Sequence, residues 1–156
     1  MQQAARECRM VGRKIAFVPT MGALHEGHLS LIEMAKESAD VVVVSIFVNP
    51  TQFAPNEDFT SYPRDLERDL GICQEKAVDF VFTPGDGEMY PEDHSFFVDE
   101  DMISKTLCGI SRPNHFRGVS TVCTKLFNIV LPDYVVVGMK DAQQAVLLNR
   151  LIRNLH

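Results

Sequence analysis

The sequence predicts an α/β fold: a Rossmann-like, doubly wound parallel sheet with helices on both faces. Two near-continuous apolar runs, at residues 15–18 and 41–48, are typical of strands buried on both faces. Two shorter strands are predicted at 79–84 and 133–138, and segments with helical spacing lie between the strands. This alternation favours right-handed βαβ units, whose ligands bind beyond the carboxyl ends of the strands.

The helices follow from apolar spacing and from proline and glycine stops. We predict helices over residues 2–12, from 26 onward, 63–76 (with Pro63 in its first turn), 102–107, 118–131 and from Asp141 to the end. Residues 95–98 are predicted as a short extra strand, and 49–62 and 109–117 as loops. In the helix at 63–76 we assign the apolar face to Leu66, Leu70 and Ile72, and we expect Asp58, Asp65 and Asp69 to be solvated.

Composition narrows the class of protein. The 156 residues suit one domain, and the formal net charge of −6 argues against a nucleic-acid surface, which normally needs a basic face. The cysteines have no zinc-ligand spacing and lie mostly among apolar residues, which predicts buried, reduced thiols; they are Cys8, Cys73, Cys108 and Cys123. Since no apolar run reaches membrane-spanning length, we expect a soluble, cytoplasmic protein.

The stretch PTMGALHEGH, residues 19–28, joins the first strand to a helix through a glycine-containing turn. His25 and His28 share one face of the first helical turn, and Gly27 between them allows a ligand to approach the backbone. A helix N-terminus also offers backbone N–H groups to an anion, so the stretch predicts nucleotide-phosphate binding. The alternative is a pair of exposed or capping histidines. A zinc site is disfavoured because this spacing supplies only two ligands, and we predict no metal site in the chain.

Polar side chains follow the other strands. Gln52 comes after the second strand and an Asn-Pro turn, and Lys140 and Asp141 follow the fourth strand. We expect residues 19–28, 49–53 and 138–144 to converge, although Gln52 and Lys140 could equally be solvated, with Asp141 as a helix cap. A positive patch of Arg112, His115 and Arg117 is either solvated or helps to bind an anion.

Several motifs together resemble the pantothenate synthetase (pantoate–β-alanine ligase) family of the HIGH-motif nucleotidyltransferase superfamily. Besides residues 19–28, these are FVNPTQF at 47–53, YPR at 62–64, RPNHF at 112–116 and KDAQQ at 140–144. They follow the family's order over essentially the whole chain. Two residues depart from the family's pattern: Asn114 stands in place of a usual Gly, and Met139 in place of Glu or Gln.

The resemblance implies that ATP and pantoate form pantoyl adenylate, which β-alanine attacks to give pantothenate, with Mg²⁺ assisting and homodimers as the assembly. It implies catalytic roles for His28, His25 and Lys140, and pantoate binding by Gln52 and Gln144, with Gln52 also on β-alanine. Gln143 is not equivalent to Gln144. The implied ATP-binding residues are Met21, Gly22, Ala23, Leu24, His25, Glu26, Gly27, His28, Gly138, Met139, Lys140 and Asp141.

Residues 1–156 resemble only the ATP- and pantoate-binding domain of that family. The chain stops at His156 without the following strand, the ATP-closing loop or the C-terminal lid domain, so we expect a fragment that is poorly active alone. Two other hypotheses remain. One is another HIGH-motif nucleotidyltransferase, which would not need the amides of Gln52 and Gln144. The other is a non-catalytic nucleotide-binding or dimerisation fragment.

Overall fold

The structure is a computed structural model that describes residues 1–54, 57 and 59–155. Asp58, which we predicted to be solvated, and His156 at the chain end lie outside the described residues. The strands are β1 (Ile15–Thr20), β2 (Val41–Ile46), β3 (Phe80–Phe82) and β4 (Tyr134–Val135). They form one parallel sheet in the order β3-β2-β1-β4, which confirms the predicted fold class.

The helices are α1 (Gln2–Met10), α2 (Glu26–Ser38), α3 (Leu66–Glu75), α4 (Asp86–Met89), α5 (Cys108–Ser111), α6 (His115–Val130) and α7 (Ala142–Leu155). Three short 3-10 turns cover Pro50–Gln52, Ile103–Lys105 and Met139–Asp141. Over the described residues, no helix combines the length and the apolar character that crossing a membrane requires.

Both faces of the sheet are covered. Successive residues of a strand point to opposite faces, and in β1 and β2 most of the residues on both faces are apolar. One face carries the main core, which α2 and α3 complete; its buried members are Ala16, Val18, Leu24, Ile32, Ala35, Val42, Val44, Cys73 and Val136. On the opposite face Phe17 is fully buried and meets Phe127 of α6 edge-on, with ring centroids 6.3 Å apart. The β-branched run of β2 is therefore buried on both sides, as its sequence predicts.

The described chain divides into two compact units. The sheet unit contains Met1–Val48, Pro63–Pro84 and Leu126–Gly138, and so holds the whole sheet. The helical unit contains Asn49–Tyr62, Gly85–Lys125 and Met139–His156. A single ligand-binding domain over residues 1–156 stays a prediction.

Several predicted elements differ from those observed. Residues 95–98 form no strand, helix α6 begins at His115 rather than at 118, and Ile103–Lys105 is only a 3-10 turn. Helix α3 begins at Leu66, after the N-cap Asp65, so Pro63 lies outside it. Within residues 95–98, the N–H of Val98 donates to the hydroxyl of Thr121 on α6 rather than to a neighbouring strand.

The buried face of α3 is the clearest correction. Leu66 and Leu70 are 47% and 41% exposed, whereas Asp69 and Cys73, one turn apart, are buried. Of the three predicted apolar residues, only Ile72 packs against the core, and the prediction was wrong for Leu66 and Leu70. Asp69 takes a buried position because its carboxylate finds hydrogen-bond donors there. Among the cysteines, Cys8, Cys73 and Cys123 are buried as predicted, but Cys108 is exposed; all four thiols are free.

Candidate active site

The loop after β1 is the best-defined part of the candidate site, and it lies wholly within the sheet unit. It leaves the strand at Thr20, whose buried hydroxyl donates to the carbonyl of Ser45 and accepts from the N–H of Gly22. Gly22 and Ala23 then take left-handed φ angles of +83° and +51°. Two successive residues of this kind reverse the chain so that α2 can start three residues later.

His25 and His28 cap the helix that follows. His25 Nδ1 accepts the N–H of Gly27 at 3.1 Å, and His28 Nδ1 accepts the N–H of His25 at 3.3 Å. A ring nitrogen that accepts an N–H must carry a lone pair, so each neutral imidazole holds its proton on Nε2. The rings lie side by side with centroids 4.2 Å apart. The pair therefore carries two Nε2–H donors on adjacent rings.

Three backbone donors at this helix start, those of His25, Gly27 and His28, have partners within the protein. The N–H groups of His25 and Gly27 bind the histidine rings, and the N–H of His28 donates to the carbonyl of His25 at 2.7 Å. These three groups are therefore engaged within the protein, and anion binding at this helix start stays a prediction. The capping interpretation and the anion interpretation are compatible, because each ring takes up a backbone donor through Nδ1 and carries its own donor at Nε2.

Asp69 fixes the same loop from α3. Its carboxylate is buried, and it accepts the N–H of Ala23 and the N–H of Leu24, each at 2.8 Å. The prediction that Asp69 is a solvated helix residue was therefore wrong. The physical reason is that two orphaned backbone donors in the loop compensate the desolvation of the carboxylate.

Gln52 lies in the helical unit, at the end of the 3-10 turn that follows β2. Its side-chain Oε1 accepts a hydrogen bond from Asn49 Nδ2 at 3.0 Å. Asn49 is itself 1% exposed: Nδ2 also donates to the carbonyl of Gly118, and Oδ1 accepts from the hydroxyls of Thr51 and Tyr90. Sequence analysis treated Asn49 only as part of a turn; the Asn-Pro pair that starts a helical turn was the signal available.

Gly118 brings α6 into close contact with the backbone beside Gln52. A Cβ built at Gly118 would lie 2.5 Å from the carbonyl oxygen of Thr51 and 2.7 Å from the Cα of Gln52. No side chain fits in that space without moving the backbone. Glycine is therefore required here for the helix to approach the turn that carries Gln52.

A chain of polar contacts joins Gln52, His115, Arg112 and Glu57. His115 is buried, its Nδ1–H donates to the carbonyl of Gln52 at 3.1 Å, and its Nε2 accepts from Arg112 Nη1 at 3.3 Å. Arg112 also donates to both oxygens of Glu57, at 2.6 and 3.0 Å. Arg112 is thus partly neutralised and His115 is a neutral link, so this part of the predicted positive patch binds protein groups of Gln52 and Glu57.

These contacts shift two pKa values. The hydrogen bonds from Arg112 lower the pKa of Glu57 to about 2. Burial lowers the pKa of His115, and the positive charge of Arg112 acts in the same direction, against the raising effect of the Gln52 carbonyl. Asn114, which departs from the family's glycine, has a φ of +70°, a left-handed conformation that asparagine tolerates better than most residues.

The segment at residues 138–144 contains the remaining predicted residues. Gly138, Met139, Lys140 and Asp141 are all exposed, and the last three form a 3-10 turn directly before α7. Gln144 is half-buried. Gln143 binds backbone instead: its Oε1 accepts the N–H of Cys108, and its Nε2 donates to the carbonyls of Ile103 and Thr106. Its amide therefore holds residues 103–108, in keeping with our expectation that it is not a substrate ligand.

The predicted residues are divided between the two units. Met21 to His28, which form the loop after β1 and the first turn of α2, belong to the sheet unit together with Gly138. Gln52, Met139, Lys140, Asp141 and Gln144 belong to the helical unit. Convergence of the three strand-end segments stays a prediction. Within the part of the chain that the structure describes, no three His, Cys, Asp or Glu side chains are grouped to hold a metal ion.

The parallel sheet and the capped histidine loop at the carboxyl end of β1 define the class: a Rossmann-like α/β domain. The family model of pantoate-beta-alanine ligase matches residues 1–156. A pantothenate synthetase from Thermosipho melanesiensis is 60% identical over all 156 residues, which correspond to 56% of that relative. The chain belongs to the pantoate–beta-alanine ligase family.

Solved structures agree with this assignment. The pantothenate synthetase of Thermus thermophilus has a TM-score of 0.90 and 47% identity, covering 97% of this chain and 56% of its own. The pantoate-beta-alanine ligase of Francisella tularensis, solved with beta-gamma ATP and beta-alanine, has a TM-score of 0.88 and 46% identity, covering 92% and 55%. The chain therefore spans a little over half the length of these relatives.

Proposed function

We propose that this chain is the nucleotide- and pantoate-binding part of an ATP-dependent enzyme that joins pantoate to β-alanine. The observation that carries the proposal is the histidine pair after β1, in which each ring accepts a backbone N–H at Nδ1. Membership of the ligase family over residues 1–156 supports the choice of substrates.

In the first step, a carboxylate oxygen of pantoate attacks the α-phosphorus of ATP, and the bond to the β-phosphate breaks to release pyrophosphate. Negative charge grows on the α-phosphoryl oxygens and on the leaving group. The Nε2–H groups of His28 and His25 are suited to stabilise this charge, and Lys140 supplies a positive point charge. A donor whose ring is already fixed by its capping bond needs little reorganisation in the transition state.

In the second step, the amine of β-alanine attacks the acyl carbon of the adenylate, AMP leaves, and the amine loses a proton to form the amide. Gln52 binds both acids and Gln144 binds pantoate, since a primary amide both donates and accepts. The amide of Gln52 is held by Asn49 at Oε1, so its acceptor end is defined before any substrate binds.

The nucleotide is held by the loop from Met21 to His28 and by residues 138–141. Asp141, an acceptor, suits the ribose hydroxyls, and Met139 contributes through its backbone because its exposed side chain offers no strong donor or acceptor. Ala23 and Leu24 give their N–H groups to Asp69, and Leu24 is buried, so we assign these two residues the shape of the nucleotide-binding loop and no hydrogen bond to the nucleotide.

Mg²⁺ is part of the proposal only as a companion of ATP. The described residues offer no group of metal ligands, so we assign the ion no protein ligand, and it would enter on the nucleotide phosphates. A homodimer and a cytoplasmic setting, which suits four free thiols, complete the proposal.

Calorimetric titration of this chain with ATP–Mg²⁺ and separately with pantoate tests the proposal. We expect His28→Ala to weaken ATP binding about tenfold, or about 1.4 kcal/mol, and leave pantoate binding unchanged, and Gln52→Ala to do the reverse. Gln74→Ala, which changes an exposed glutamine on α3, is the matched control and should change neither affinity.

Two outcomes would point elsewhere. Binding of ATP without binding of pantoate at millimolar concentration would favour another HIGH-motif nucleotidyltransferase. Binding of neither ligand would favour a non-catalytic fragment.

A further inference from the structure

Asp69 lies outside every residue assigned to the proposed function, yet it is among the most buried polar residues of the sheet unit. The residue is 1% exposed, and its two carboxylate oxygens accept separate backbone donors: Oδ2 from Ala23 and Oδ1 from Leu24, each at 2.8 Å. Charge-assisted bonds of this kind are stronger than those between neutral groups.

The turn that Asp69 holds is conformationally costly. Ala23 has a left-handed φ of +51° although it is not glycine, and it follows Gly22 at +83°. In a tight turn, consecutive backbone N–H groups can form a concave site for an anion. Here the anion is supplied by the protein itself.

The carboxylate of Asp69 also packs closely against Gly22 of the turn. A Cβ built on Gly22 would lie 2.9 Å from Asp69 Oδ2 and 3.0 Å from Ile46 Cγ2, so the carboxylate occupies the space that a larger residue would need. Its cationic neighbour is Arg68, whose Nη1 is 3.7 Å from Oδ1 and whose side chain is 55% exposed. The neutralising contacts of Asp69 therefore come chiefly from the loop.

We propose that Asp69 is a positioning residue: by binding the N–H groups of Ala23 and Leu24 it fixes where α2 starts, and so where His25 and His28 direct their Nε2–H donors. The inference rests on the proposed function for its ligand-binding consequence. The contact of Asp69 with the loop is tested independently of any ligand.

The test compares Asp69→Asn with Asp65→Asn on the same helix. The amide introduced by Asp69→Asn would keep one acceptor but turn an NH₂ group toward the other backbone donor, whereas asparagine caps α3 as well as Asp65 does. For Asp69→Asn we expect amide hydrogen exchange at Ala23 and Leu24 to accelerate at least about tenfold, with Phe17 and Val43 in the sheet unchanged. ATP–Mg²⁺ affinity should fall at least about fivefold, and pantoate affinity should stay within about twofold. Asp65→Asn should change none of these.

Unchanged exchange at Ala23 and Leu24 would overturn the inference at its structural step, whatever the ligands do. Faster exchange with unchanged ATP affinity would show that the turn is held but does not position the site, which also overturns it. If the unmodified chain binds no ATP, the proposed function fails, and the ligand-binding part of the inference falls with it. Should Asp69→Asn not fold, Asp69→Glu takes its place, because it keeps the charge but moves the carboxylate away from its two donors, and we expect faster exchange at Ala23 and Leu24 together with the same loss of ATP affinity relative to pantoate.

Discussion

Asn49 Nδ2 donates to Gln52 Oε1 over 3.0 Å, so a buried amide fixes the orientation of the amide that we propose to bind both acids. Asn49 can do this because its remaining hydrogen-bond positions are filled by Gly118, Thr51 and Tyr90. A fully satisfied polar network of this kind is rigid, whereas a partly satisfied one is costly.

Asn49→Asp should therefore weaken pantoate binding more than ATP binding. The carboxylate would face Gln52 Oε1 and the Gly118 carbonyl without a proton to donate, which turns two hydrogen bonds into repulsive contacts. We expect roughly 1–3 kcal/mol of lost stability and a loss of pantoate affinity of about tenfold. Calorimetry and chemical denaturation measure the two effects. Asn154→Asp, at an exposed position of α7, is the control, and a similar loss there would refute the specific role of Asn49.

Gly118→Ala should disturb the same turn through its backbone. The added methyl would collide with the backbone of Thr51 and Gln52, and overpacking of this kind costs about 1–3 kcal/mol. Gly71→Ala on α3 is the matched control, because a Cβ there meets no atom within 4 Å and alanine favours a helix by up to about 1 kcal/mol. In denaturant titrations, the free energy of unfolding should fall for Gly118→Ala and rise for Gly71→Ala. Equal effects would mean that the close approach of α6 is not limiting.

The two nitrogens of His28 can be separated by substitution. Asparagine places an acceptor near the position of Nδ1 and so keeps the capping bond, while glutamine places an N–H donor near that of Nε2. If the outer donor stabilises the nucleotide, His28→Asn should lose ATP affinity about tenfold and His28→Gln should lose less. Calorimetry with ATP–Mg²⁺ makes the comparison. The reverse order would assign His28 a capping role only.

Stability should fall in two separate ranges of pH. The pKa of His115 is lowered in the folded state, so folding favours the neutral ring. The contribution of His115 to the stability of the fold is therefore present above the pKa of the unfolded chain, 6.5, and is lost as the pH falls below that value. The pKa of Glu57 is about 2 in the folded state and 4.5 in the unfolded chain. Its contribution to the stability of the fold is therefore present above pH 4.5 and is lost as the pH falls from 4.5 to about 2. Denaturation measured against pH for the chain and for His115→Gln should differ only in the upper range. A variant with an unchanged upper range would contradict the neutral, linking role of His115.

The fold was predictable because its strands are recognisable locally. Residues 15–18 and 41–48 are apolar at nearly every position, and a sheet covered on both faces is what buries such runs. The histidine loop was predictable for a similar reason, since a strand, a turn and a helix start lie within one short stretch. Both signals need no knowledge of distant residues.

The supporting polar residues were not predictable in this way. Asp69 is buried only because Ala23 and Leu24, 46 and 45 residues away in sequence, present two unpaired donors. Glu57 and Arg112 are 55 residues apart, and each alone has the character of a solvated loop residue. Burial of a charge depends on its partners, and a single sequence does not say which residues they are.

The register of β1 has a consequence for the order in which the chain assembles. Its partner β2 begins 26 residues further on, whereas Asp133, which accepts the N–H of Ile15 just before β4, is 118 residues away. Closing the longer loop costs about 1.3 kcal/mol more in chain entropy, so the β1–α2–β2 unit can form early and β4 docks late. A polypeptide emerging from the ribosome therefore exposes one edge of β1 until residues 134–135 have been made. A newly synthesised chain is open to pairing with the wrong strand at that edge, which the folded sheet covers with β4.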